Sequence, residues 1–126
     1  MALWSPRDAF HTKALALYLD LEKSNTSVVT TRAVLLEIGN SLSGLHTRSA
    51  AIDLLNSLES DPRIGIVSAT DELYVRAFNL YQSRQDKEWG LVDCMSFIVM
   101  WDREINAALT SDLHFRQAGF NVLLRE

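Results

Sequence analysis

The chain has 126 residues, 48% of them apolar and 22% charged, with a formal net charge of −4 at pH 7. That is enough for one domain with a core of its own, and too acidic for a protein that coats nucleic acid by general phosphate neutralisation. No apolar run approaches the roughly 18 residues of a membrane span and no signal peptide is visible; the lone cysteine, Cys94, cannot form an internal disulfide, which points to a reducing cytoplasm. The acidic balance still admits an enzyme that acts on nucleic acid, because metal-binding carboxylates lower the net charge and a bound cation reverses the local sign.

Ser5-Pro6-Arg7-Asp8 carries the marks of a helix start: serine caps, proline suits the first turn, and Asp8 stands three residues after Ser5. Phe10, Ala14, Leu17 and Leu21 then fall on one helical face. A polar loop over 22–26 leads to a short strand, Ser27–Thr30, and Thr31 is placed to cap a helix reaching about Ser43, ahead of Gly44. A third helix is predicted over Thr47–Glu59 with Ala51, Leu54, Leu55 and Leu58 inward, and Asp61-Pro62 breaks it. Ile64–Val67 reads as a strand. Thr70 caps a helix containing Leu73, Ala77, Leu80 and Tyr81, and a charged loop over 83–88 follows. Asp93 opens an apolar helix through Phe97, Ile98, Met100 and Trp101; Ala107–Thr110 is a strand, Leu113–Ala118 a short helix, and Asn121–Leu124 a last strand. Strands alternating with helices define an α/β fold with a parallel sheet, in a single domain without internal repeats or linkers.

Three acids stand out in this frame. The helix after Trp89-Gly90 and the strand before Asp112 are joined by a short connection, so the strand runs back along the helix and Asp93 and Asp112 meet at one edge. That edge, beyond the carboxyl ends of the strands, is where open α/β sheets bind ligands. Glu37 is about two turns from the same rim, on a small polar face formed with Ala33, Asn40, Ser41 and Gly44. Each acid also has a plain structural reading: Asp93 complements a helix dipole, Asp112 caps a short helix, and Glu37 is a solvated helical residue. Converging carboxylates repel one another unless a cation is bound, and oxygen ligands select hard cations such as magnesium or manganese. Ser96, one turn from Asp93, and Thr110 and Ser111, just before Asp112, are candidate donors that would orient the acids, or ordinary hydroxyls at element ends. His114 reads first as a packed or hydrogen-bonded side chain and second as a ligand. His11 and His46 show no metal-ligand spacing. Arg116 stands four residues from Asp112, so a salt bridge is its default and a phosphate contact its functional reading. Cys94, among apolar neighbours, reads as a buried thiol before a nucleophile.

The order of these stretches resembles a known family. Thr30-Thr31-Arg32-Ala33-Val34-Leu35-Leu36-Glu37-Ile38-Gly39-Asn40 is similar to the second acidic motif of PIN-domain proteins, Gly90-Leu91-Val92-Asp93-Cys94-Met95-Ser96-Phe97 to the third, and Leu109-Thr110-Ser111-Asp112-Leu113-His114-Phe115-Arg116-Gln117-Ala118-Gly119-Phe120 to the fourth. Pro6-Arg7-Asp8 with His11 and Ala14 resembles the first helix region, so the likeness spans the chain. It implies a three-layer α/β/α sandwich and a magnesium- or manganese-dependent endoribonuclease. Many small members are the toxins of VapBC-type toxin–antitoxin pairs. Carried onto this sequence, Glu37, Asp93 and Asp112 would be the catalytic metal-site acids, with Asn40 and Thr110 as supporting polar residues. RNA would be the substrate, and a small antitoxin protein the partner. Leu55, Leu58 and the aromatic region Tyr74–Tyr81 offer a face for a second copy of the chain, or pack as helix core.

One departure is large. The family opens with an apolar central strand ending in aspartate, whereas this chain begins Met1-Ala2-Leu3-Trp4-Ser5-Pro6 and resembles the segment just after that strand. The first central strand is therefore expected to be missing, as an N-terminal truncation relative to the family, and its loss would leave two unpaired strand edges inside the sheet. A catalytically degenerate binding or interaction module is the alternative reading. A phosphate- or nucleotide-binding domain of response-regulator type is a third, against which stands the lack of a phosphate-cradling loop or a conspicuous lysine near the last strand. On the main reading, a chain extended upstream by an in-frame strand ending in aspartate should be more stable to heat and cut RNA faster with magnesium than residues 1–126. Equal rates in a chelator-controlled assay would show that the first acid is dispensable.

Overall fold

The computed structural model of the protein describes residues 2–4, 27–110 and 112–123; the helix expected over Ser5–Leu21 and the end of the last strand lie outside the described residues. Five strands, β1 (Ala2–Trp4), β2 (Val28–Thr31), β3 (Ile64–Val67), β4 (Ala107–Leu109) and β5 (Asn121–Val122), form one sheet in the order β3-β2-β1-β4-β5. Every pairing is parallel. The helices are α1 (Arg32–Ser41), α2 (Arg48–Ser60), α3 (Asp71–Ser83), α4 (Leu91–Asp102) and α5 (Leu113–Gln117). Parallel strands need crossovers, and crossovers cover both faces of the sheet with helices.

The gap expected in the middle of the sheet is filled. β1 lies between β2 and β4, with Ala2 and Leu3 beside Val28 and Val29, and Leu3 and Trp4 beside Ala108 and Leu109. Three extended residues suffice to pair both inner edges, because the neighbouring strands are themselves only four and three residues long. The strand brings no acid, since it reads Ala-Leu-Trp and Ser5 follows it.

Alternation along β2 separates two cores. Val28 joins Val34, Leu35, Ile38 and Leu42 with Ala51, Leu54, Leu58 and Ile64 on the side of α1 and α2. Val29 points the other way, to Leu73, Ala77, Cys94, Phe97 and Ala108 on the side of α3 and α4. All four residues of β2 are buried, as a strand covered on both faces requires. Leu58 is wholly buried and Leu55 partly so, so these two belong to the core and not to an outer face. Tyr74, Phe78 and Tyr81 are exposed instead, their rings stacked at 6.1 and 6.2 Å along α3.

Local signals account for the helix ends. Thr31 accepts a hydrogen bond from the Val34 amide at 3.2 Å and Thr70 from the Leu73 amide at 3.1 Å, both serving as N-caps. α1 stops at Ser41, two residues short of the expected end. α2 stops before Asp61, whose carboxylate accepts from the Arg63 amide at 2.9 Å and pairs with its guanidinium. Gly119, at φ 97°, turns the chain from α5 into β5 through backbone space that a side chain would strain.

α4 is the helix the fold is packed around: Asp93 to Met100 are eight consecutive buried residues. A helix buried on all sides needs partners all round. Phe97 supplies most of them, edge-on to Trp89 at 5.0 Å and to Phe115 at 4.9 Å, and tilted against Phe120 at 5.6 Å. Trp101, one turn on, is 45% exposed and leans on Phe97 and Phe120 from the rim. Phe97→Ala should cost about 3–5 kcal/mol, read as a lowered urea midpoint. A loss under about 1 kcal/mol would show that the aromatic cluster can close around the cavity.

Candidate metal centre

The strand order reverses between β1 and β4, and it is beyond the ends of such strands that an α/β sheet opens a crevice. Asp112 follows β4 there, and the first turn of α4 meets it. One clamp holds them together from behind. The Trp89 indole N–H donates to Gln117 Oε1 at 3.1 Å, tying the entry of α4 to α5, and the Arg84 guanidinium covers the same ring at 5.0 Å.

Asp93 stands at the third position of α4, not its first, and Gly90 is the cap. The Gly90 amide donates to Asp93 Oδ2 at 3.2 Å. The carboxylate is thus both the helix-start acid of the structural reading and a member of the cluster, and it is only 3% exposed. Asp112 likewise has two roles. It is the N-cap of α5 and accepts the His114 amide at 2.9 Å. The same cap brings the His114 ring round, so that Nδ1 lies 3.3 Å from Asp93 Oδ2 and 3.5 Å from Asp112 Oδ1. One donor atom from each of Asp93, Asp112 and His114 falls within 4.8 Å of the others.

The geometry therefore joins two of the three expected acids and adds the histidine that read first as a packing residue. The signal for it was in the sequence: an aspartate that caps a helix bonds the amide two residues on, which sets that residue beside the carboxylate. Glu37 stays outside this trio. It is half-buried on α1, one turn after Ala33, and Ala33 packs into the core that α4 builds. Asn40 is exposed near the end of α1.

Of the supporting hydroxyls, Thr110 is buried and its Oγ1 accepts the Asp112 amide at 3.1 Å, so it holds the backbone that carries the acid. Ser111 lies outside the described residues. Ser96 is wholly buried, one turn along α4 from Asp93, and its Oγ has no hydrogen-bond partner among the described residues. The default pairing of Arg116 with Asp112 is not formed: among the described residues Arg116 makes no ion pair and lies exposed on α5. His46 is exposed on the connection between α1 and α2, and His11 lies outside the described residues. Cys94 is no nucleophile: burial and the neighbouring Asp93 charge push its thiol up to about 11, which leaves it protonated at neutral pH.

With this geometry in hand the family follows. The PIN domain model matches residues 2–121, and the chain belongs to the PIN-domain family. In fold it is similar to Mycobacterium tuberculosis VapC20, described as a toxin that cleaves the sarcin–ricin loop, with a TM-score of 0.80, 24% sequence identity and full coverage of both chains. No curated protein matches the chain. No helix among the described residues is long and apolar enough to cross a membrane.

An unsatisfied buried hydroxyl costs about 1–3 kcal/mol. Ser96→Ala should therefore hold or raise the melting temperature of the metal-free protein. A fall of several degrees would show that the hydroxyl already has a partner.

Proposed function

We propose that this chain is a magnesium- or manganese-dependent endoribonuclease of the PIN type and the toxin of a toxin–antitoxin pair, acting in the cytoplasm. The observation that carries this reading is the convergence of Asp93, Asp112 and His114 within 4.8 Å at the end of β4. Two carboxylates and an imidazole suit a first-row divalent ion. We assign Asp93 and Asp112 as metal ligands and Glu37 as a third acid of the site. Thr110 orients Asp112, Ser96 lies behind Asp93, and Asn40 is a supporting polar residue on the helix of Glu37. Such an ion, when bound, neutralises charge on a phosphodiester and lowers the pKa of a water. Arg116, exposed on α5 and without an ion pair among the described residues, is the residue we assign to an RNA phosphate. The fold relative cleaves the sarcin–ricin loop, and a structured RNA is accordingly the substrate class put first.

For the antitoxin, exposed Leu36, Leu45 and Ile52 offer apolar surface to an amphipathic segment. The stacked Tyr74, Phe78 and Tyr81 offer a face to a second copy of the chain.

A specific observation favours the alternative of a degenerate module. β1 occupies the centre of the sheet without contributing an acid.

Asp93→Asn separates the two readings. On the ribonuclease reading wild type cleaves a structured RNA with manganese and not with chelator, and manganese raises its melting temperature by linkage. The variant should lose at least about tenfold in metal affinity and most of the cleavage, since it removes a ligand charge. Metal-stabilised melting that is unchanged in the variant would remove the site assignment. Wild type that binds RNA without cutting it would leave the module.

A further inference from the structure

The site reading of the preceding subsection leaves the identity of the ion open between magnesium and manganese, and His114 bears on that choice. Its Nδ1 is the ring nitrogen that faces both carboxylates, at 3.3 and 3.5 Å. Adjacent ligands of a divalent ion with bonds of about 2.0–2.2 Å stand about 2.8–3.6 Å apart, from octahedral to tetrahedral geometry. The two distances fall in that range, so the imidazole occupies the place of an adjacent ligand to each acid.

Three fixed points hold it there. Asp112 Oδ1 accepts the His114 amide, Thr110 Oγ1 accepts the Asp112 amide, and the Gly90 amide holds Asp93 Oδ2. A second observation points to a ligand beyond the protein. Ser96 Oγ, one turn from Asp93 on the same helix, is wholly buried with no partner among the described residues, and such a group calls for a water or ion.

We infer that His114 is a nitrogen ligand through Nδ1 to the divalent ion of this site and tilts its selectivity from magnesium towards manganese. The inference rests on the metal site proposed above. Magnesium is bound through oxygens and gives up its waters reluctantly. Imidazole suits first-row transition ions, and manganese accepts carboxylate and imidazole together. A carboxylate at position 114 would reverse the preference by restoring an all-oxygen set.

Electron spin echo envelope modulation on the manganese-loaded full chain tests this without reference to activity. Wild type should show 14N modulation from a directly bound imidazole. His114→Gln should lose that modulation and bind manganese about tenfold or more weakly by spectroscopic titration. His114→Asp should keep manganese binding without the nitrogen signal and move the manganese-to-magnesium affinity ratio towards magnesium by a similar factor. Manganese bound to wild type with no nitrogen modulation overturns the inference. So does a His114→Gln protein that binds manganese as tightly as wild type or tighter, since the imidazole would then be a competing group and not a ligand. Loss of manganese binding in Asp93→Asn, with none in His114→Gln, sinks this inference alone. No loss in either variant sinks the site as well.

Discussion

The rest of the molecule depends on the burial of the eight-residue middle of α4, Asp93 to Met100. A helix with Cys94, Met95, Phe97, Ile98, Val99 and Met100 all inside cannot sit on a surface, so the sheet, α3, α5 and Trp89 must close around it. Apolar side chains of this size are each worth about 1.5–3 kcal/mol when taken from water, and together they fix where the helix lies. Asp93 rides on the same helix. Its carboxylate is carried to 3% exposure by its neighbours, and the Gly90 amide and His114 Nδ1 both meet its Oδ2. The site is thus a consequence of the core.

The second constraint is electrostatic. Two carboxylates within a few ångströms of each other, one of them buried, favour a cation between them. Asp112 reaches that position because it ends the connection from β4 and caps α5. One hydrogen bond there stabilises the short helix, while the ring it positions faces both acids. The same residues serve as helix caps and as candidate ligands. Sequence position gave no means of choosing between those roles for Asp93 and Asp112; in the fold each serves a helix start and also joins the cluster with His114.

The centre of the sheet is occupied by a strand of only three residues. Ala2–Trp4 has no alternation long enough to announce a strand, and the family pattern placed it after the missing one. In the fold it pairs on both sides because β2 and β4 present matching edges. An empty central place would leave two rows of backbone groups unpaired, and three residues of almost any composition relieve that. The acid is another matter. A carboxylate is a property of one side chain, and Ala2, Leu3 and Trp4 carry none.

Local chemistry and periodicity determined most elements of this protein on their own. Thr31 and Thr70 are caps in the sequence and caps in the fold. Asp61-Pro62 breaks a helix wherever it stands, and Val28-Val29 and Ile64–Val67 are strands by composition. The convergence of Asp93 with Asp112 was also legible, because a short connection between a helix and a strand leaves only one way back. Tertiary structure decided what depends on contacts between distant residues. It made Leu58 core and Tyr74, Phe78 and Tyr81 surface, although all four lie on helical stripes. It left Arg116 exposed with no ion pair among the described residues, and brought His114 to Asp93 across 21 positions of sequence. Burial and side-chain direction are set by the whole packing around α4, and a linear pattern records neither.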